Sequence, residues 1–194
     1  GSWQLVGAAG IGSGEGMWGM LFVDLALDSS DIPYVAYRDW NNGRKATVMK
    51  YDSGSWQTVG MAGFTADLAN YLTLSLDSSD VPYVAYTGIT VMKYESGSWQ
   101  LVGEAGSVGG NWGTPSLAFD SSDIPYVAYS DVANDYKVTV MRYAGGSWEN
   151  VGVVGFSEGR GSEPSLELDS SDTPFVGFMD AAKDYKSTVM KPNK

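Results

Sequence analysis

The chain contains no cysteine and no histidine. Without cysteine there is neither a disulfide nor a thiolate metal site. Without histidine the commonest general base and metal ligand is missing, so serine and cysteine hydrolases that depend on one cannot be built from it. Basic residues are scarce: 12 Lys and Arg stand against 23 Asp and Glu, a formal charge of −11 with a pI near 4.2. Phosphate backbones and anionic membranes reward clustered cations, so no nucleic-acid partner is expected. No apolar run approaches transmembrane length, and no membrane insertion is expected. The absence of cysteine leaves the compartment open. The low-charge composition, rich in Gly, Ser, Trp and Tyr, points to an extracellular location.

One unit is written four times. LDSSDIPYVAY (Leu27–Tyr37) returns as LDSSDVPYVAY (Leu76–Tyr86), FDSSDIPYVAY (Phe119–Tyr129) and LDSSDTPFVGF (Leu168–Phe178). The partner half runs ATVMKYDSGSWQTVG from Ala46, ITVMKYESGSWQLVG from Ile89 and VTVMRYAGGSWENVG from Val138, and is cut to STVMKPNK at Ser187. The Asp-Ser-Ser-Asp turns start at 28, 77, 120 and 169, giving spacings of 49, 43 and 49. A period of roughly 40–50 residues made of strand-like segments is the signature of propeller blades. The chain therefore reads as one all-β domain over 1–194, a four-bladed β-propeller with four antiparallel strands per blade. The blades fall at about 20–60, 71–103, 114–152 and 163–191.

Within each blade, strand A is the Leu-rich run, strand B is Pro-Tyr-Val-Ala-Tyr, strand C is Thr-Val-Met-Lys-Tyr and strand D is Ser-Trp-Gln-x-Val-Gly. Proline stands at the first position of strand B, where a strand tolerates it. Gly1–Gly7 matches the end of the repeat, whereas the last repeat lacks its GSW segment. The N-terminal segment is thus expected to close the last blade as its fourth strand, leaving no open edge. A monomer is the favoured assembly; the rival is a dimer whose two chains complete eight blades.

Features common to all blades are read as scaffold. The Asp pairs 28/31, 77/80, 120/123 and 169/172 suit a tight hairpin turn, with carboxylates accepting from local N–H groups, better than a metal site. Trp3, Trp56, Trp99 and Trp148 suit packing between blades, and the repeated Met suits core filling. Function is sought where copies disagree, on the D-to-A crossings and B–C hairpins, which should emerge on one rim. There Trp18, Trp40 and Trp112 lie outside the repeated Trp set, together with Tyr71, Tyr136, Tyr185, Asp39 and Arg44. Flat aromatic faces beside polar side chains fit a sugar ring. Asp39, Asp131 and Asp180 are equivalent across three hairpins, which favours a hairpin-stabilising role. Asp24 and Glu167 break the strand A pattern, replacing Ser, Thr or Ala, and are candidates to hold Ca²⁺ or another cation in the central channel or to act as a carboxylate couple.

The tandem D-S-S-D-x-P-Y-V-A-Y, T-V-M-K-Y and G-S-W-x-x-V-G segments resemble the repeat arrays of bacterial secreted or surface β-propeller proteins. Only the blade count resembles hemopexin-like propellers, whose signature and disulfide are absent. That resemblance implies a blade architecture and no activity. The leading functional expectation is a non-enzymatic recognition module binding a glycan or a protein surface on the D–A/B–C rim, without a cofactor. The alternatives are a carboxylate-based glycoside hydrolase or lyase using Asp24, Glu167 and Asp39, and a purely structural or reconstructed propeller.

Overall fold

A computed structural model of the chain describes residues 1–12, 22–86, 88–106 and 115–193. The fold is all-β, with four antiparallel sheets forming the blades of a four-bladed β-propeller. Blade one holds β1 (Val23–Leu27), β2 (Pro33–Asp39), β3 (Lys45–Asp52) and β4 (Ser55–Thr58). Blade two holds β5 (Thr73–Leu76), β6 (Pro82–Tyr86), β7 (Thr90–Glu95) and β8 (Ser98–Leu101). Blade three holds β9 (Ser116–Phe119), β10 (Pro125–Asp131), β11 (Lys137–Ala144) and β12 (Ser147–Asn150). Blade four holds β13 (Gly161–Leu168), β14 (Pro174–Asp180) and β15 (Lys186–Met190). Every strand B begins at its proline. Two compact units divide the chain: Gly1–Val84 with Lys93–Gln100, and Ala85–Met92 with Leu101–Lys194. Among the described residues no helix is long and apolar enough to cross a membrane.

One expectation is corrected. The fourth sheet has three strands, and Gly1–Gly7 forms no strand among the described residues. Trp3 is fully exposed, and the end of the segment lies on blade one, where the Val6 carbonyl accepts the Trp56 indole Nε1–H at 2.9 Å. The physical reason is that Val6 and Gly7 make the contact that the Val59–Gly60 and Val102–Gly103 pairs make. The Val59 carbonyl accepts from Trp99, and the Val102 carbonyl accepts from Trp148, each at 2.9 Å. That contact fixes the segment to the blade that follows it.

The Asp-Ser-Ser-Asp turns divide their two carboxylates between two tasks. The first closes the turn: Asp28 Oδ1 accepts from the Ser30 and Ile32 N–H groups, both at 2.9 Å, and Asp77, Asp120 and Asp169 do the same. The second adopts the left-handed conformation in all four turns and, at Asp80 and Asp172, joins blades. Asp80 accepts from Ser29 N and Oγ at 2.7 and 2.6 Å, and Asp172 from Ser121 N and Oγ at 2.8 and 2.7 Å. In the second unit Tyr126, Val140, Leu166, Val176 and Phe178 form a shared core between blades three and four, with Phe156 and Met190 packed against it.

Strand B tyrosines are buried with their hydroxyls on methionine sulfur: Tyr37 on Met49 and Tyr129 on Met141, each at 3.5 Å. Burial pushes the Tyr37 hydroxyl from 10.0 up to about 12, with the Asp39 charge adding to it. Burial and Asp131 raise Tyr129 likewise. The folded state therefore prefers the neutral phenol. This stabilisation is complete below the unfolded pKa and is lost as pH rises through the folded one. Urea titrations should show a midpoint that is flat up to about pH 10 and falls by about pH 12. A midpoint unchanged across that interval would contradict the burial of these hydroxyls.

Candidate functional site

The B–C hairpins and D-to-A crossings meet at one end of blades one and three. In blade one, Phe64 N–H and Ala69 N–H donate to the Ala46 and Arg44 carbonyls at 3.0 and 2.9 Å. In blade three, Phe156 and Gly161 donate to Val138 and Tyr136 at 3.0 and 2.9 Å. The strand C threonine ties both segments together. Thr47 Oγ1 donates to Asp39 at 2.8 Å and accepts from Gly63 N–H at 2.9 Å, and Thr139 does the same with Asp131 and Gly155.

Asp39 is buried under its own hairpin, accepting from Asn41 N–H, Asn42 Nδ2 and Thr47 Oγ1. Asp131 holds the same position above a 3-10 turn at Val132–Asn134. Asp180 accepts from Ala182 and Gly159 N–H groups. These three carboxylates shape hairpins, as their equivalence across the repeats indicated.

Trp40 and Arg44 come together on the first hairpin, the guanidinium 4.2 Å from the indole centroid. Tyr71 stands beside Phe22, ring centroids 4.7 Å apart, and the Arg38 guanidinium lies 5.2 Å from the Phe22 ring. Arg38 is buried and donates to Asn70 Oδ1 at 2.6 Å; burial, with Arg44 nearby, holds its pKa below the usual guanidinium value. In the second unit Tyr136 is paired with Arg160 at 4.6 Å, while Tyr185 is 65% exposed. Trp18 and Trp112 lie outside the described residues.

Arg38, Asn70 and Arg160 were not singled out from the sequence. The signal was present, since Arg38 stands where the other copies have Thr87, Ser130 and Met179.

The two acids that interrupt strand A have different surroundings. Asp24 Oδ2 accepts from Thr73 Oγ1 at 2.9 Å and Leu74 N–H at 2.8 Å, bracing β1 against β5. Ser116 performs the same task in the second unit, its Oγ accepting from Leu166 N–H at 2.9 Å. Glu167 is exposed on β13 opposite Phe175. Among the described residues no three acidic side chains gather into a metal-binding group.

No family model matches the chain, and no curated protein matches it in sequence. Solved structures do match its fold. The GH93 α-L-arabinofuranosidase of Fusarium graminearum, in complex with arabinobiose, is similar at a TM-score of 0.61 and 12% identity, over 88% of this chain and 61% of that one. The α-L-arabinanase of Penicillium chrysogenum gives 0.58 and 11%, over 89% and 61%. An endo-1,4-β-xylanase from Bacteroides thetaiotaomicron gives 0.53 and 13%, over 93% and 78%. The chain thus spans about three fifths of the length of the first two. These likenesses overturn the expectation of a non-enzymatic recognition module. The three chains named here that share the fold are glycan-degrading enzymes.

The Asp24 brace yields a direct test. Asp24→Ala leaves the Leu74 N–H without its acceptor and should lower stability by about 1–3 kcal/mol in urea titrations. Asp24→Ser should recover at least half of that, because a hydroxyl accepts the equivalent bond at Ser116. Equal losses in both variants would contradict the bracing role.

Proposed function

We propose that this chain is the propeller portion of a carboxylate-based glycoside hydrolase. The observation that carries the reading is the fold shared with arabinan- and xylan-degrading enzymes, in a chain whose repeat is interrupted by acids at Asp24 and Glu167. Glycosidic bonds are cleaved by two carboxyl groups, one protonating the leaving oxygen and the other attacking the sugar or activating water, so no histidine or cysteine is needed. Glu167 is our choice for the acid. It is exposed on the first strand of its blade, where the other copies carry Ala26, Ser75 and Ala118. Asp24, held by Thr73 and Leu74 in the first unit, is a separate candidate acid. The Trp40–Arg44 pair in the first unit and the Tyr136–Arg160 pair in the second would each offer a ring face for sugar C–H groups and donors for hydroxyls within their own unit. Polymeric glycans do not cross membranes, so the reading places the protein outside the cell.

The test is reducing-sugar release from arabinan and xylan by the 194-residue chain. Glu167→Gln should lower the rate by about 100-fold or more. Asp24→Ser, which keeps the brace, should lower it comparably. Activity retained in both variants, or no release by the unaltered chain, would sink the proposal.

A further inference from the structure

The first B–C hairpin carries the single Asn-Gly pair of the sequence, Asn42–Gly43. Both residues are exposed, and a Cβ on Gly43 would meet nothing within 4 Å. Among the described residues the Gly43 N–H donates no hydrogen bond. Asn42 itself is an anchor of the hairpin. Its Nδ2 donates to Asp39 Oδ2 at 2.8 Å, and Asp39 is only 3% exposed. The backbone repeats the attachment: Asn42 N–H and Arg44 N–H donate to the Asp39 carbonyl at 3.3 and 2.8 Å, and Lys45 N–H donates to the Asn42 carbonyl at 3.4 Å. A carboxylate offers acceptors alone, so the group facing Asp39 from this turn has to be a donor.

Blade three builds the same hairpin with one change. Asn134 is equivalent to Asn42, and its Nδ2 donates to Asp131 Oδ2 at the same 2.8 Å. The residue that follows is left-handed in every long hairpin: Gly43 at φ 70°, Asp135 at φ 57° and Asp184 at φ 54°. Aspartate tolerates that conformation, so the turn does not demand glycine. The glycine of blade one is therefore a departure whose chemical effect falls on the asparagine before it. A backbone nitrogen that follows an asparagine can attack the side-chain amide carbon, and a side chain on the attacking residue obstructs the approach. Glycine has none.

We propose that Asn42 is a site of spontaneous covalent modification, and that its conversion releases the first hairpin from Asp39. The Gly43 nitrogen bonds to Asn42 Cγ, the Cγ–Nδ2 bond breaks, and ammonia leaves carrying the proton that the nitrogen gave up. Water then opens the cyclic imide at one of its two carbonyls, giving aspartate or isoaspartate. The bond from Nδ2 to Asp39 has to open first, so the reaction proceeds through local opening of an exposed turn. Either product reverses the anchor. A carboxylate stands where the amide donated, facing the buried Asp39 carboxylate, and two carboxylates at hydrogen-bond distance cannot both be held ionised. Isoaspartate also lengthens the backbone between the Asn42 N–H and carbonyl that tie the turn together. Trp40 and Arg44 stand on this hairpin, so the stacked pair loses its fixed support. The inference rests on the hairpin and does not depend on the hydrolase reading.

The chemistry is tested by incubating the folded 194-residue chain at mildly alkaline pH and mapping aspartate and isoaspartate at each asparagine. Asn42 should convert several-fold faster than Asn134. Gly43→Asp, which installs the residue of blades three and four, should slow Asn42 to the Asn134 rate, and Asp135→Gly should raise Asn134 to the Asn42 rate. Conversion of Asn42 no faster than that of Asn134 would overturn the proposal, as would a Gly43→Asp chain that converts like the unaltered one. Urea titrations test the consequence. Asn42→Asp should lower the midpoint further than Asn42→Ala, which removes the donor without adding a charge. An Asn42→Asp midpoint equal to or above that of Asn42→Ala would show that conversion does not release the hairpin.

Discussion

The bond from a strand D indole to the carbonyl of the valine ending the preceding blade is the constraint on which the rest depends. It occurs at Trp56, Trp99 and Trp148 with the same 2.9 Å length. Around it, the glycine after the valine leaves no room for a Cβ, the strand C tyrosine tilts against the indole, and the second turn aspartate reaches back to the preceding serine. Sheets of four short strands bury little by themselves, and a repeat unit is stable only when its faces are covered by neighbours. The interblade contact supplies that cover and sets the spacing of everything attached to the blades.

A scaffold fixed in this way leaves its departures available for chemistry. Trp40, Arg44 and Arg38 stand on the first hairpin, and Asp24 and Glu167 lie on strands whose other copies are neutral. The threonine-anchored crossings hold these segments against the hairpins, so the variable residues sit on ordered backbone. Asp24 shows how the two kinds of role overlap. Its carboxylate braces two blades as Ser116 does elsewhere, and it brings a charge where the scaffold needs only an acceptor.

The blade pattern was legible because each strand carries its own signature: a proline that starts strand B, a two-residue turn before strand D, an aspartate that closes the A–B hairpin. The hairpin role of Asp39, Asp131 and Asp180 could be read from their equivalence alone. The position of Gly1–Gly7 could not. The repeat assigns those seven residues to an outer strand, whereas the contact they make is the one from Val6 to Trp56, between residues 50 apart. The division of labour between Asp28 and Asp31 was hidden for a related reason, since a hydrogen bond between residues 51 apart, as from Ser29 to Asp80, leaves no local trace. Arg38 and Arg160 were not legible because each meets its aromatic partner, Phe22 or Tyr136, only through the fold, 16 and 24 residues away in the chain.

Indole hydrogen exchange followed by NMR tests the interblade bond directly. If that bond holds the blades, the Nε1–H groups of Trp99 and Trp148 exchange only through opening of the blades themselves, far more slowly than the exposed indole of Trp3. Exchange of Trp99 and Trp148 as fast as an exposed indole, in a protein that is otherwise folded, would show that the bond does not hold the blades together.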